Sequence, residues 1–420
     1  MLSRIGATSY RCFSLLDVAL PQHAIFAGSN GIGKSTLLDI PVLLADVLRS
    51  GLRSALLEPM RAGHGPRAQR YRDILHRGRG DGCTLLLEAV LPQKVRDAHF
   101  SVLPQRWRSR PPTHLRYELQ LRLVSDDELV IESEFLDLVP EAGQTQRRAE
   151  LTDPQAHGWR TVIERHHGNP PRTQAEFRRE KRSLDTLSPD RLALSSLQDL
   201  VLYPAASWFV NFLQRGTVSY SPDCIQLRQA SPPGPEEVFR GDATLVPVQA
   251  LHLTEAKREE WVHMVQLALP SVLNVEALRR AEDHYVYLKL TYRFGDDSSP
   301  DHEVTSSGLS DGTLRILAFT ILPYLPKLPP LINIEEPEDG IHPRALDVVL
   351  DSLTALPDSQ TFITTHSPLV LARTPLSDVI CLCRDSDGAA VAVRGTDHPR
   401  LRDWKQELDL GALFAAGVLS

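Results

Sequence analysis

Near its start the chain reads Gly28-Ser29-Asn30-Gly31-Ile32-Gly33-Lys34-Ser35-Thr36, a fit to G-x-x-x-x-G-K-[ST]. Each position has a chemical reason. Glycines let successive backbone N–H groups turn inward around an oxyanion, and the N-terminus of a following helix adds its dipole. Lys34 is placed to reach the β- and γ-phosphates of a nucleotide, and the Ser35 hydroxyl to ligate magnesium. Far downstream, the apolar run Leu331–Ile334 ends in Glu335-Glu336-Pro337. A parallel strand delivers such residues into the ligand crevice beside a phosphate loop. Glu335 is then placed to hold magnesium and Glu336 to polarise an attacking water as general base. Pro337 stops a helix from continuing and fixes the turn.

Two weaker signals lie on either side of the paired acids. In Ser306–Phe319, Ser310 and Gly312 open a helix expected to begin near Thr313, giving a second helix N-terminus able to face a phosphate. In Thr361–Leu371, an apolar strand ends in His366-Ser367-Pro368. Taken alone, the first reads as an ordinary N-cap and the second as a structural histidine. Their order along the chain gives them weight: phosphate loop, serine–glycine helix start, strand with paired acids, strand ending in histidine.

These motifs need strands and helices to hold them. A strand at Ala24–Ala27, the glycine loop and a helix from Thr36 to about Arg49 provide the first setting. Runs at 83–91, 115–124 and 128–139 read as strands, the last two alternating as antiparallel strands with one wet face. Residues 140–182 are polar and arginine-rich, and read as a loop or short-helix insertion. Helical patterns are expected at 173–187, 191–214 and 249–267, with a proline-rich break at 231–237. A strand follows at 284–294, and strand–helix–strand resumes from Thr305. The fold class is α/β: a mixed sheet with an antiparallel β subdomain and a mainly helical insertion. Three segments follow, 1–140, 141–280 and 281–420.

Composition narrows the function classes. The chain has 420 residues and 42% hydrophobic content, enough for a large core. No apolar run is long enough to span a membrane, and the N-terminus lacks the apolar stretch of a secretory signal, so the expected location is the cytoplasm. Five cysteines (Cys12, Cys83, Cys224, Cys381, Cys383) lack metal-site spacing and fit a reducing compartment. Cys381 and Cys383 are expected to share one face of a strand. A net charge of −7 argues against a wholesale polyanion binder. Yet Arg61, Arg67, Arg70, Arg72, Arg77 and Arg79 crowd one stretch with Asp73 as its single acid, and residues 172–182 carry five cations. Such runs are either solvated faces or strips for phosphate backbones.

The motifs GSNGIGKST, LSDGT, INIEEPEDGIHP and ITTHSP resemble those of the stand-alone AAA/ABC-type ATPases. These are related to the structural-maintenance-of-chromosomes-like repair ATPases and to the overcoming-lysogenization-defect nucleases. The resemblance covers roughly 1–140 and 280–420, and less specifically 227–251. It implies a P-loop NTPase of ABC ATPase type that uses ATP and Mg2+ and works as a homodimer or higher homo-oligomer with ATP at the interface. Lys34 and Ser35 would be Walker A, Ser310 and Gly312 the signature, Glu335 the Walker B carboxylate, Glu336 the catalytic glutamate and His366 the switch histidine. Ile341-His342 would sit at the dimer-contact loop. The signature departs from the transporter form at Asp311 and Thr313, which favours a soluble, non-transporter branch. Gln93 is the candidate glutamine-loop residue, and Tyr10 and Phe13 are the aromatics available to stack on adenine.

The implied function is a sensor or motor in phage defence or DNA transactions that controls a separate effector such as a small nuclease, with DNA a possible partner and no membrane. A DNA repair or recombination ATPase is the alternative, and a transporter subunit a more distant one. Asp385-Ser386-Asp387-Gly388 carries a D-x-D of the kind found in nuclease domains. The D-G between apolar runs reads instead as a hairpin, leaving an ATPase without its own nuclease.

Overall fold

The computed structural model describes residues 1–59, 65–102, 111–140, 148, 158–177, 180–234, 238–293, 295, 300–401 and 409–418. The first segment is β1 (Leu2–Tyr10), β2 (Phe13–Ala19), β3 (His23–Ala27), α1 (Lys34–Ser50), α2 (Leu52–Leu57), β4 (Gly82–Val90), α3 (Gln93–Val102), β5 (His114–Ser125) and β6 (Glu128–Val139). The middle segment holds β7 (Arg160–His166), β8 (Arg172–Gln174), β9 (Lys181–Ser183), α4 (Pro204–Gly216), β10 (Thr217–Ser219), α5 (Cys224–Leu227), α6 (Val246–Leu251), α7 (Glu255–Ala268) and β11 (Val272–Arg279). The last holds β12 (Val286–Tyr292), β13 (His302–Thr305), α8 (Asp311–Thr320), β14 (Leu331–Glu335), α9 (Pro343–Thr354), β15 (Gln360–Thr365), α10 (Pro368–Ala372), β16 (Val379–Arg384), β17 (Ala390–Arg394) and α11 (Leu410–Ala415).

One large sheet carries the described strands in the order β10-β14-β15-β3-β16-β17-β2-β1-β4-β5-β6-β7-β8-β9, and β11-β12-β13 form a separate antiparallel sheet. Strands β10, β14, β15, β3 and β16 run parallel. Their residues alternate between two cores, as strands with both faces covered must. Ala24, Phe26, Leu331, Phe362, Ile380 and Leu382 face one core together with α1 and α4. Ile25, Ala27, Ile332, Ile334, Ile363 and Cys381 face the other, shared with α7, α8 and α9. Phe26 and Phe362 meet edge to face with centroids 5.5 Å apart, locking β3 against β15.

The structure departs from expectation in the middle segment. Residues 173–187, whose spacing suggests a helix, hold the β8–β9 hairpin, with Thr173 opposite Arg182. Strand β7 joins it to β6, so the strands at 160–166, 172–174 and 181–183 continue the sheet instead of forming helix and loop, while 141–147 and 149–157 of the expected loop lie outside the described residues. A tertiary contact decides the matter. Glu176, fully buried, accepts the N–H groups of Ala205 and Ala206 at 3.0 and 2.9 Å, capping α4 from outside its own helix. A helix through 176 would forfeit that cap. The expected helix at 191–214 is a short 3-10 turn at Ala193–Ser196 followed by α4. Asp385–Gly388 is a hairpin turn between β16 and β17, with Gly388 at φ 75°. No helix among the described residues is long and apolar enough to cross a membrane.

Candidate functional site

Strands β3, β14 and β15 are neighbours, and their carboxyl ends bring the motifs together. From β3 the chain turns through Gly28–Gly33 into α1. Gly33 adopts φ 115°, and a Cβ there would lie 2.4 Å from Cys12 Sγ, so only glycine fits. Gly31 is also left-handed, at φ 73°, while Ile32 drops into the core as the anchor of the loop. Ser29, Asn30 and Gly31 are exposed, and Thr36 is half-buried in the first turn of α1, which begins at Lys34 and so two residues before the expected Thr36. Lys34 folds back on the loop, donating to the carbonyls of Gly28 at 2.8 Å and Ser29 at 3.2 Å. Burial lowers the pKa of its ammonium, opposed by the charges of Glu336, Glu338 and Glu335.

At the end of β14 the paired acids diverge. The Ser35 hydroxyl donates to Glu335 Oε2, so the two residues expected to share a cation are already in contact. Glu336 stands at φ 46° just before Pro337, a left-handed conformation costly to a residue with a Cβ. Its N–H bonds Thr364 O at 3.0 Å, which holds the turn against β15. The Oε1 of Glu336 lies 3.0 Å from His366 Nδ1 at the end of β15. Glu336, Asp339 and His366 present oxygen and nitrogen atoms all within 4.8 Å of one another.

Glu338 was not singled out by sequence reasoning. Its Oε1 accepts from the Thr365 hydroxyl at 2.5 Å and the His366 N–H at 3.4 Å, tying the acid-bearing turn to the histidine strand. Burial raises its pKa, these hydrogen bonds opposing. The signal available was the acidic residue two places beyond Glu336 across a proline.

Ser310 caps α8, accepting the Thr313 N–H at 3.2 Å; the helix begins at Asp311, slightly before the expected Thr313. A Cβ on Gly312 would lie 2.5 Å from Gly340 O, so this glycine is required by close approach of the loop after the acids. Arg315 on α8 donates to Asp339 O at 2.9 Å, a second tie between the two. Ser310 and Gly312 thus sit beside the acid-bearing turn, while their own hydrogen bonds stay within α8.

Several expected residues stand elsewhere. Tyr10 and Phe13 are fully buried in the core and have no face to offer a base. Gln93 opens α3 with its side chain bonded to Asp97 and Arg96. Ile341 is a core residue and His342 caps α9 through the Arg344 N–H, so only the histidine of that pair is exposed. Arg67 is buried against Asp39 and Asp46 of α1 and donates to Ala55 O, which removes it from any basic strip. Arg61 lies outside the described residues. Arg70, Arg77 and Arg79 are exposed.

Three likenesses to known proteins follow this geometry. Residues 99–372, more than half of the chain, match the family described as "AAA domain, putative AbiEii toxin, Type IV TA system". That span holds Ser310, Gly312, the paired acids and His366, and begins after the Gly28–Gly33 loop. The Old nuclease of Escherichia phage P2 is 33% identical over 94 residues, a match to 20% of this chain and only 16% of that protein. The SMC head in the crystal structure of the SMC head bound to the C-winged helix domain of ScpA superposes with a TM-score of 0.51 at 12% identity. The superposition covers 93% of this chain and 97% of that one, a likeness of fold. On the family match the chain belongs to this AAA-domain family, and its fold is that of the SMC head.

Proposed function

We propose that the chain binds ATP with magnesium, hydrolyses it as a nucleotide-gated homodimer or higher homo-oligomer, and thereby controls a separate effector such as a small nuclease in phage defence or DNA transactions. The observation that carries the chemistry is the convergence of Lys34, Ser35, Glu335, Glu336 and His366 at one end of the parallel strands. A hydroxyl and a carboxylate oxygen in mutual contact are a donor set suited to a hard cation. Magnesium held by Ser35 and Glu335 would neutralise charge on the β- and γ-phosphates. Lys34 would exchange the carbonyls of Gly28 and Ser29 for phosphate oxygens, and the backbone from Gly28 to Thr36 would cradle them. Glu336 would accept the proton of the attacking water. His366 would steady that carboxylate and, when protonated, donate towards the γ-phosphate.

The homodimer reading is supported by Ser310 and Gly312, which offer a second helix N-terminus besides that of α1. Such an end reads a γ-phosphate most directly in a second copy. Segments 1–140 and 281–420 would form the nucleotide-binding unit, with 141–280 the insertion that meets the effector. A protein partner is in keeping with the ScpA domain bound to the SMC head, and a nucleic-acid link with the phage nuclease. Exposed Arg70, Arg77 and Arg79 are the residues offered to DNA. Free cysteines fit a cytoplasmic site of action.

The deciding experiment compares Glu336→Gln with Lys34→Ala. The first should keep ATP binding, lower turnover by about 10²–10⁴-fold and accumulate an ATP-bound dimer in sedimentation. The second should lose ATP binding. Wild-type turnover in Glu336→Gln would overturn the assignment of the base.

A further inference from the structure

The signature turn carries an unexpected charge. Asp311 occupies the first position of α8, where the N–H groups of the helix point outward and where, in the reading above, the γ-phosphate of a partner copy would dock. A carboxylate is welcome at a helix N-terminus as such, but it repels a phosphate brought to the same place. The chain answers that charge from 83 residues away in sequence.

Arg228 closes the short helix α5. Its guanidinium ion-pairs with Asp311 Oδ1, donates to Leu309 O at 3.3 Å and reaches back to Cys224 O at 3.4 Å. The carbonyl of Arg228 in turn accepts from the Ser306 hydroxyl at 3.5 Å. One side chain therefore grips the residues on both sides of Ser310. The planar fork of arginine suits this double grip, which a lysine could not reproduce. Helix α5 is itself fixed by Asp223, whose carboxylate accepts the N–H groups of Ile225 and Gln226 at 2.9 and 3.1 Å. The pair is only partly covered, with side chains 34% and 62% exposed, so it remains open to an arriving anion.

We propose that Arg228 is a positioning residue for the signature turn, neutralising Asp311 and holding Leu309 so that Ser310 and Gly312 can receive the γ-phosphate of a second copy. The proposal rests on the ATP-gated dimer above. It makes the middle segment part of the catalytic cycle: whatever moves α5 moves the signature turn.

The test uses the full chain in the Glu336→Gln background, with ATP binding and ATP-driven dimerisation measured separately. Arg228→Ala should leave ATP affinity unchanged and weaken dimerisation about tenfold, the order expected of an uncompensated like charge at an interface. Adding Asp311→Asn should restore most of that loss, because it removes the charge that Arg228 had balanced. Arg228→Lys should fall between. A dimerising parent that Arg228→Ala leaves unaffected overturns the proposal alone. So does a double variant as weak as Arg228→Ala, which would reduce Arg228 to a packing role. Failure of the parent to dimerise with ATP, while still binding it, overturns the dimer reading and this proposal together.

Discussion

Arg67 and its exposed neighbours look alike in sequence, yet they do different work. The Arg67 side chain is 2% exposed and holds Asp39 and Asp46 on one face of α1, with a third bond to Ala55 O in α2. Removing it leaves two carboxylates and a carbonyl facing a void. Arg67→Ala should therefore cost about 2–3 kcal/mol, the scale of breaking a well-covered ion pair whose acids keep some water. A thermal melt should show a drop of several degrees, and Arg70→Ala and Arg79→Ala, both at exposed sites, should show none. Equal drops in all three would mean that burial does not separate them. The same contrast bears on Glu336. Its left-handed backbone is a strain that Pro337 and the bond to Thr364 O must sustain, and it aims the carboxylate at His366.

Elements reveal where sequence pattern was sufficient and where it was overruled. The strands at β3, β14 and β15 were legible because each is an apolar run ended by a distinctive group of residues: glycine and lysine, paired acids, histidine. The hairpin β8–β9 was not legible, because its few apolar residues fall at spacings compatible with a helix and the deciding contact, of Glu176 with the start of α4, joins residues 29 and 30 apart in sequence. The grip of Arg228 on Asp311 was invisible for the same reason. A buried ionic patch on β5, β6 and β7 belongs to this class too. Asp137 is 1% exposed, pairs with Arg148 at 3.3 Å and accepts from the Thr161 hydroxyl at 2.6 Å. Burial outweighs these partners and pushes its pKa up to about 6. The unfolded value is near 3.9. A carboxyl raised on folding contributes stability that is complete below about pH 4 and lost as the pH rises through about 6. The melting temperature of wild type minus that of Asp137→Asn should accordingly shrink between pH 4.5 and pH 8. A difference that grows with pH would reverse the sign of the shift.

At the scale of the whole molecule, the proposed function has the two ends of the chain build one site and leave another half-built. Lys34, Glu335, Glu336 and His366 meet within one copy, while Ser310 and Gly312 present their helix N-terminus beside the Asp339–Gly340 turn; in the proposed reading that end serves the phosphate loop of a second copy. Two copies related by a twofold axis would repair this in both directions, giving two composite sites. Ser310→Arg should put a long cation into the seam and stop hydrolysis without touching the phosphate loop. Lys34→Ala should stop it by emptying the loop without touching the seam. Neither variant alone should turn over ATP. Mixed in equal amounts, they form some heterodimers in which one site pairs a native loop with a native signature, and the other site carries both lesions. Each heterodimer then has one working site, and activity should return to about a quarter of the wild-type level, since random pairing makes about half of the dimers mixed. Pull-down of one tagged variant by the other establishes that mixing has occurred. Heterodimers that form and remain inactive would rule out ATP shared across the interface, whereas full activity in Ser310→Arg alone would show that the signature turn takes no part in hydrolysis.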